Sequence, residues 1–205
     1  MCLRDMDEGC YCIKVIHNYK NPTMKRKLIL IFTILIFISC GNENDDIYKT
    51  KSGEFASKSG NFIAAFPIKP GYIAIDNQIG LDKFQVHLFR ASLGTNKVFS
   101  IEYNDYPEYM IKSMTDEQIY SQGVTNFVNK MADSFKLEFQ EPIEQNGLNG
   151  VHFVLGLKKH LVDKGVKGYI AGKMFRKGNR VYTVTYIGEN DKNTDSFMKS
   201  FRLIK

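Results

Sequence analysis

Eleven consecutive residues, Leu28 to Ile38, are strongly apolar except for Thr33, and they follow directly on the basic stretch Met24-Lys25-Arg26-Lys27. At 1.5 Å per residue such a run reaches about 16 Å as a helix, roughly half the hydrocarbon thickness of a bilayer. It is too short for an unstrained transmembrane anchor. It is also apolar all round, whereas a core helix carries an amphipathic stripe. A basic start, a short apolar stretch and a small residue at the end, here Ser39 before Cys40, follow the plan of a secretory signal segment over 24–39. The consequence for folding is direct: only the chain beyond Cys40 has to build a core.

The stretch Phe37-Ile38-Ser39-Cys40-Gly41 resembles the lipobox of bacterial lipoproteins, with Phe37 where that family most often has Leu. The resemblance implies that Cys40 is acylated and becomes the mature N-terminus, and that the protein is lipid-anchored in the bacterial cell envelope. A thioether-linked diacylglycerol plus an amide-linked chain meets the need of stable anchoring for more than one acyl chain. The address is then the outer membrane, facing periplasm or surface, and palmitate is the expected label. Residues 40–54 are expected to be a polar tether, since Gly41-Asn42-Glu43-Asn44-Asp45-Asp46 is hydrophilic and acidic. The same acidic stretch is similar to the surface-export signal of some Gram-negative lipoproteins. Residues 1–23 show no sustained periodicity and are expected to be a non-native or disordered N-terminal extension. Cys10 and Cys12 form a pair with no second pair and no histidine at ligand spacing, so they make no zinc site.

Removing the leader changes the composition argument. Residues 1–40 hold six basic and three acidic residues, so the chain beyond Cys40 carries +3 of the total +6, and it has no cysteine. No disulfide can stabilise it. A domain of about 150 residues can instead bury around 70% of its unfolded surface.

The order of elements beyond the tether predicts an α+β domain over 55–205. Residues 61–66 and 71–75 read as short strands around Pro67 and Pro70. Phe84, Val86 and Leu88 alternate with Gln85 and His87, which predicts a strand with those three residues facing the core. Val98 to Tyr103 is a further strand. The period then changes: Tyr120, Val124, Phe127, Val128, Met131 and Phe135 fall on one helical stripe, and Thr115 with Gln118 three residues later predicts a capping box. Strands resume at Leu137–Phe139, at Val151–Leu157 and at 169–176 and 180–187, the last two joined by a tight turn at Gly178-Asn179. A helix over 190–199 and a strand over 201–204 close the chain. The whole reads as an antiparallel sheet flanked by helices.

With Val98-Phe99-Ser100-Ile101-Glu102-Tyr103, the turn Tyr106-Pro107 and the ending Phe197-Met198-Lys199-Ser200-Phe201, residues 55–205 resemble PsbP-type domains. The resemblance implies an αβα sandwich, a fold found in a photosystem II extrinsic subunit, a Ran-binding nuclear factor and bacterial envelope lipoproteins. A fold with such varied roles hands down no activity.

Chemical motifs are scarce. There is no G-x-S-x-G, P-loop, G-x-G-x-x-G or H-E-x-x-H, and His87 and His152 are expected on the polar faces of strands, away from any ligand set. No catalytic residue, metal or cofactor is expected, and the reading is a non-catalytic binding or accessory domain. Two other readings carry requirements. A small-ligand carrier needs a cavity between the sheet and the Tyr120–Phe135 helix, and a hydrolase needs a convergent polar triad. Charge is segregated: Lys158, Lys159, Lys164, Lys167, Lys173, Arg176, Lys177 and Arg180 face one acid, Asp163, whereas nine acids between Glu102 and Glu144 face three lysines. If the turns cluster, this basic hairpin region is a surface for an envelope protein, anionic lipid or lipopolysaccharide. Alternatively the lysines only guard sheet edges. Nucleic acid is excluded by the extracytoplasmic address, and the domain is expected to act as a monomer.

Overall fold

The computed structural model describes residues 46–79 and 82–204. The expected N-terminal extension 1–23, the expected signal segment 24–39 and Cys40 lie outside the described residues. Strands β1 (Ile47–Lys49), β2 (Phe55–Ser57), β3 (Phe62–Ala64) and β11 (Arg202–Leu203) form a small antiparallel sheet in that order. The large sheet has seven antiparallel strands: β4 (Gly71–Ile79), β5 (Asp82–Leu93), β6 (Lys97–Asp105), β10 (Arg180–Gly188), β9 (Tyr169–Lys177), β8 (Leu148–Leu157) and β7 (Phe135–Gln145), in that spatial order. Helices α1 (Glu108–Ile111), α2 (Asp116–Lys130), α3 (Lys159–Val162) and α4 (Lys192–Ser200) complete the described chain.

The central strands of the large sheet are buried on both faces, which is why β9 and β10 are rich in apolar residues, whereas the edge strands β4 and β7 are largely exposed. On one face Phe89, Phe99, Ile101, Phe175, Tyr182, Val184 and Tyr186 pack under the small sheet and α4, contributing to a core with Phe62, Ala64, Phe197 and Phe201. On the other, Val151, Phe153, Leu155, Ile170 and Met174 pack under α1 and α2 with Ile119, Tyr120 and Val124. The expected flanking of the sheet by helices is met in part: α4 shares its face with a second sheet. The short strands at 55–57 and 62–64 pair with each other, and the second of them takes up 202–203 from the far end of the sequence, so they make a sheet of their own.

The start signal works as expected in α2, but the helix ends at Lys130: Met131 is its C-cap, and Phe135 of the expected stripe opens β7. Thr115 Oγ1 accepts the Gln118 backbone N–H at 3.2 Å and the Gln118 side chain accepts the Thr115 N–H at 2.9 Å, the reciprocal capping box. The β7–β8 hairpin turns at Asn146-Gly147, both at positive φ (53° and 77°), the pair that a tight turn of this hand requires. In β5 the expected alternation over 84–88 is met in part. Phe89 and Ala91 enter the core under the small sheet, whereas Val86 and Leu88 are only half-buried on the opposite face. Because both faces carry apolar residues, alternation over 84–88 alone leaves the phase of the strand open.

Candidate functional site

The described chain opens on a clasp. Asp46 accepts the Ser59 N–H at 2.7 Å, the Ser59 hydroxyl at 2.8 Å and the Ser57 hydroxyl. Partial burial would raise the Asp46 carboxyl, but the Ser57 and Ser59 hydrogen bonds outweigh it and hold it below the ordinary range. Residues 46–54, expected as the end of a tether, instead carry β1 and a turn closed by Thr50 N–H to Glu54 O at 2.8 Å. Glu54 in turn holds Arg202 through two 2.6 Å hydrogen bonds. The partners are 148 residues apart in sequence, so no local pattern announces the pair.

The basic segment divides into three groups. Lys173 donates to Gln145 Oε1 at 2.6 Å and to Met198 O at 3.0 Å. Gln145 and Asn146 cover the Phe201 carbonyl at 3.0 and 2.8 Å, so these three side chains satisfy the orphan carbonyls at the end of α4. Burial lowers the Lys173 ammonium pKa, and Lys199 adds to that effect while Asp195 opposes it. Arg176 joins Asp116 at 2.9 Å and Gly178 O at 2.7 Å, and reaches Ile111 O at 3.3 Å, tying the β9–β10 hairpin to the helical cover. Arg180 grips both oxygens of Asp105 and donates to Ser59 O at 2.7 Å, with its guanidinium 4.2 Å from the Tyr103 ring centroid. Hydrogen bonding to Asp105 holds that guanidinium above its usual range. These three residues serve the fold.

Lys177 is exposed at the β9–β10 tip, beside the Asp46 clasp, since Arg180 touches Ser59. Lys158, Lys159, Lys164 and Lys167 lie at the other end of the sheet, in the loop joining β8 to β9. The nine residues of β9 separate the two ends by roughly 26 Å. The structure therefore does not bring Lys177 together with the lysines of the 158–167 loop; the expected single hairpin patch becomes two poles. The loop lysines make no ion pair among the described residues.

Groups with chemical potential are engaged inside the fold. His87 stacks on Tyr103 at 4.4 Å, with Arg180 on the same ring, and its Nδ1 lies 2.8 Å from the Tyr72 hydroxyl. It thus faces the small-sheet side rather than open solvent, against the expectation of a polar face. His152 stands 3.8 Å from Glu141. The ring of Phe153 lies over Gly172, where an added Cβ would meet it at 2.1 Å, and touches Phe127 of α2 at 5.4 Å between centroids. The space a carrier would use between sheet and helix is filled here. A shallow depression lined by Ser113, Met114, Glu117, Gln118, Ser121 and Gln122 runs beside the first turns of α2 and carries no histidine or basic group.

No protein-family model matches the chain, and no curated protein matches it. Among solved structures, the solution structure of cyanobacterial PsbP (CyanoP) from Synechocystis sp. PCC 6803 matches with a TM-score of 0.47 and 12% identity, over 81% of this chain and 98% of that one.

Proposed function

We propose that the chain is a lipoprotein of the bacterial cell envelope, acylated at Cys40, whose PsbP-type domain binds an envelope component without catalysis. The address is supported by the order basic stretch, eleven-residue apolar run, Ser39-Cys40. Among the described residues, no helix is long and apolar enough to cross a membrane. The observation that carries the binding role is the contrast between the poles. Lys173, Arg176 and Arg180 are held by internal partners, whereas Lys159, Lys164 and Lys167 are offered outward at one end of the sheet, with Lys158 half-buried behind them. Against a hydrolase stands the commitment of His87 to Tyr72 and Tyr103, and of Ser57 to Asp46.

Palmitate labelling of the wild-type protein and of Cys40→Ala tests the address. Incorporation is expected in the wild type alone, with a processed N-terminus at Cys40 by intact mass. Equal labelling of both would refute acylation at Cys40.

A further inference from the structure

The α3 loop, residues 158–168, is built like a knuckle. Lys158 N–H donates to Ser134 O at 2.9 Å, Asp163 N–H to Lys159 O at 2.8 Å, and Lys164 N–H and Val166 N–H to Leu161 O at 3.1 Å each. Leu161 is buried and roots the loop, while the adjacent Val162 is 54% exposed at its crown. Lys159, His160, Lys164 and Lys167 are exposed around it, and Lys158 is half-buried at the base. Asp163 is the carboxylate of the loop itself; Asp133 stands beside Ser134, on which Lys158 leans, and the exposed Glu189 follows the Gly188 that packs on Gly168, so three carboxylates stand against the four lysines of this end. The balance stays basic.

We propose that this knuckle docks on an anionic lipid surface, with Val162 entering the headgroup region and Lys159, Lys164 and Lys167 meeting phosphates. Three features select that partner. The tip is convex, so it cannot enclose a small anion. Its cations are all lysines, point charges suited to a diffuse negative surface rather than to bidentate recognition. Its exposed apolar residue is a lone valine, where a protein partner would be expected to find Trp, Tyr or Arg anchors. The loop's backbone is already hydrogen-bonded, so docking orders little. The inference rests on the proposed binding role but not on acylation of Cys40.

The chain contains no tryptophan, so Val162→Trp supplies a single fluorescent reporter in the processed protein. With vesicles containing phosphatidylglycerol the emission should shift to the blue and be quenched by brominated lipid. Pure phosphatidylcholine vesicles, or high salt, should leave the reporter in water. Each lysine near an anionic surface strengthens binding about fivefold, so Lys159→Gln, Lys164→Gln and Lys167→Gln together should abolish the shift. A reporter at the opposite pole, Lys177→Trp, should stay in water throughout. Equal emission in neutral and anionic vesicles, or a shift that survives the triple substitution, overturns the proposal. So does a shift produced by polyglutamate without vesicles, which would assign the loop to an acidic protein. Sedimentation with phosphatidylcholine vesicles reads the anchor at Cys40 and emission reads the loop, so either reading can fail alone.

Discussion

His87 shows what burial does to a titratable side chain. Burial lowers its pKa from the ordinary 6.5; Asp105 opposes the shift and Arg180 adds to it. The unfolded chain therefore binds a proton that the folded chain refuses, and stability falls as pH drops below about 6.5 towards the folded pKa. His152 shifts in the same direction, through burial and then Lys173. In urea unfolding, His87→Gln should reduce the loss of stability between about pH 7 and pH 5 without removing it, because His152 remains. An unchanged loss would show that the stack on Tyr103 does not exclude the imidazolium. Asp46 and Glu54 act in a lower window: both carboxyls are depressed, so their contribution is present above about pH 4.5 and is lost as pH falls through their folded values. Arg180 and Lys177, three residues apart and alike in the sequence, should separate in the same experiment. Arg180→Ala leaves Asp105 and Ser59 O without their donor and should cost about 2 kcal/mol, whereas Lys177→Ala at the exposed tip should stay within about 0.5 kcal/mol.

Elements were legible where the signal is local. The capping box of α2 needs only Thr115 and Gln118, and the turn at Gly178-Asn179 needs only residues that tolerate positive φ. Thr115→Ala should cost about 1 kcal/mol and speed amide exchange in the first turn of α2 more than in β8. The phase of β5 was not legible, because the choice between Val86-Leu88 and Phe89-Ala91 as the deeper set depends on which cover each face receives. Gly172 is a similar case. Its sequence neighbourhood reads as ordinary strand, yet the Phe153 ring occupies the space of a side chain. Gly172→Ala should destabilise by about 1–3 kcal/mol through displacement of that ring, with the loss visible as a lower urea midpoint. A neutral result would mean that Phe153 repacks without cost.

At the scale of the molecule, two sheets and their helices meet through aromatic rings. Phe201, fully buried, stacks on Phe175 at 5.3 Å and lies 5.4 Å from Tyr182 and 6.1 Å from Phe62, so it joins the C-terminal turn of α4 to both sheets. Phe201→Ala should cost about 3–5 kcal/mol in denaturant unfolding, and the loss should appear together in probes of both sheets. The change from period two to a helical stripe at Tyr120 and the alternation of strand and helix signals along 55–205 were determined by the sequence alone, because each depends on residues within a few positions of one another. Only the tertiary structure decided that Lys173 caps α4, that Arg180 grips Asp105 and Ser59, and that the basic segment splits between two poles. A charge near others in sequence is brought near or sent away by the strand between them. The nine residues of β9 carry Lys167 and Lys177 to opposite ends of one sheet, and the partners each cation meets come from elements dozens of residues away.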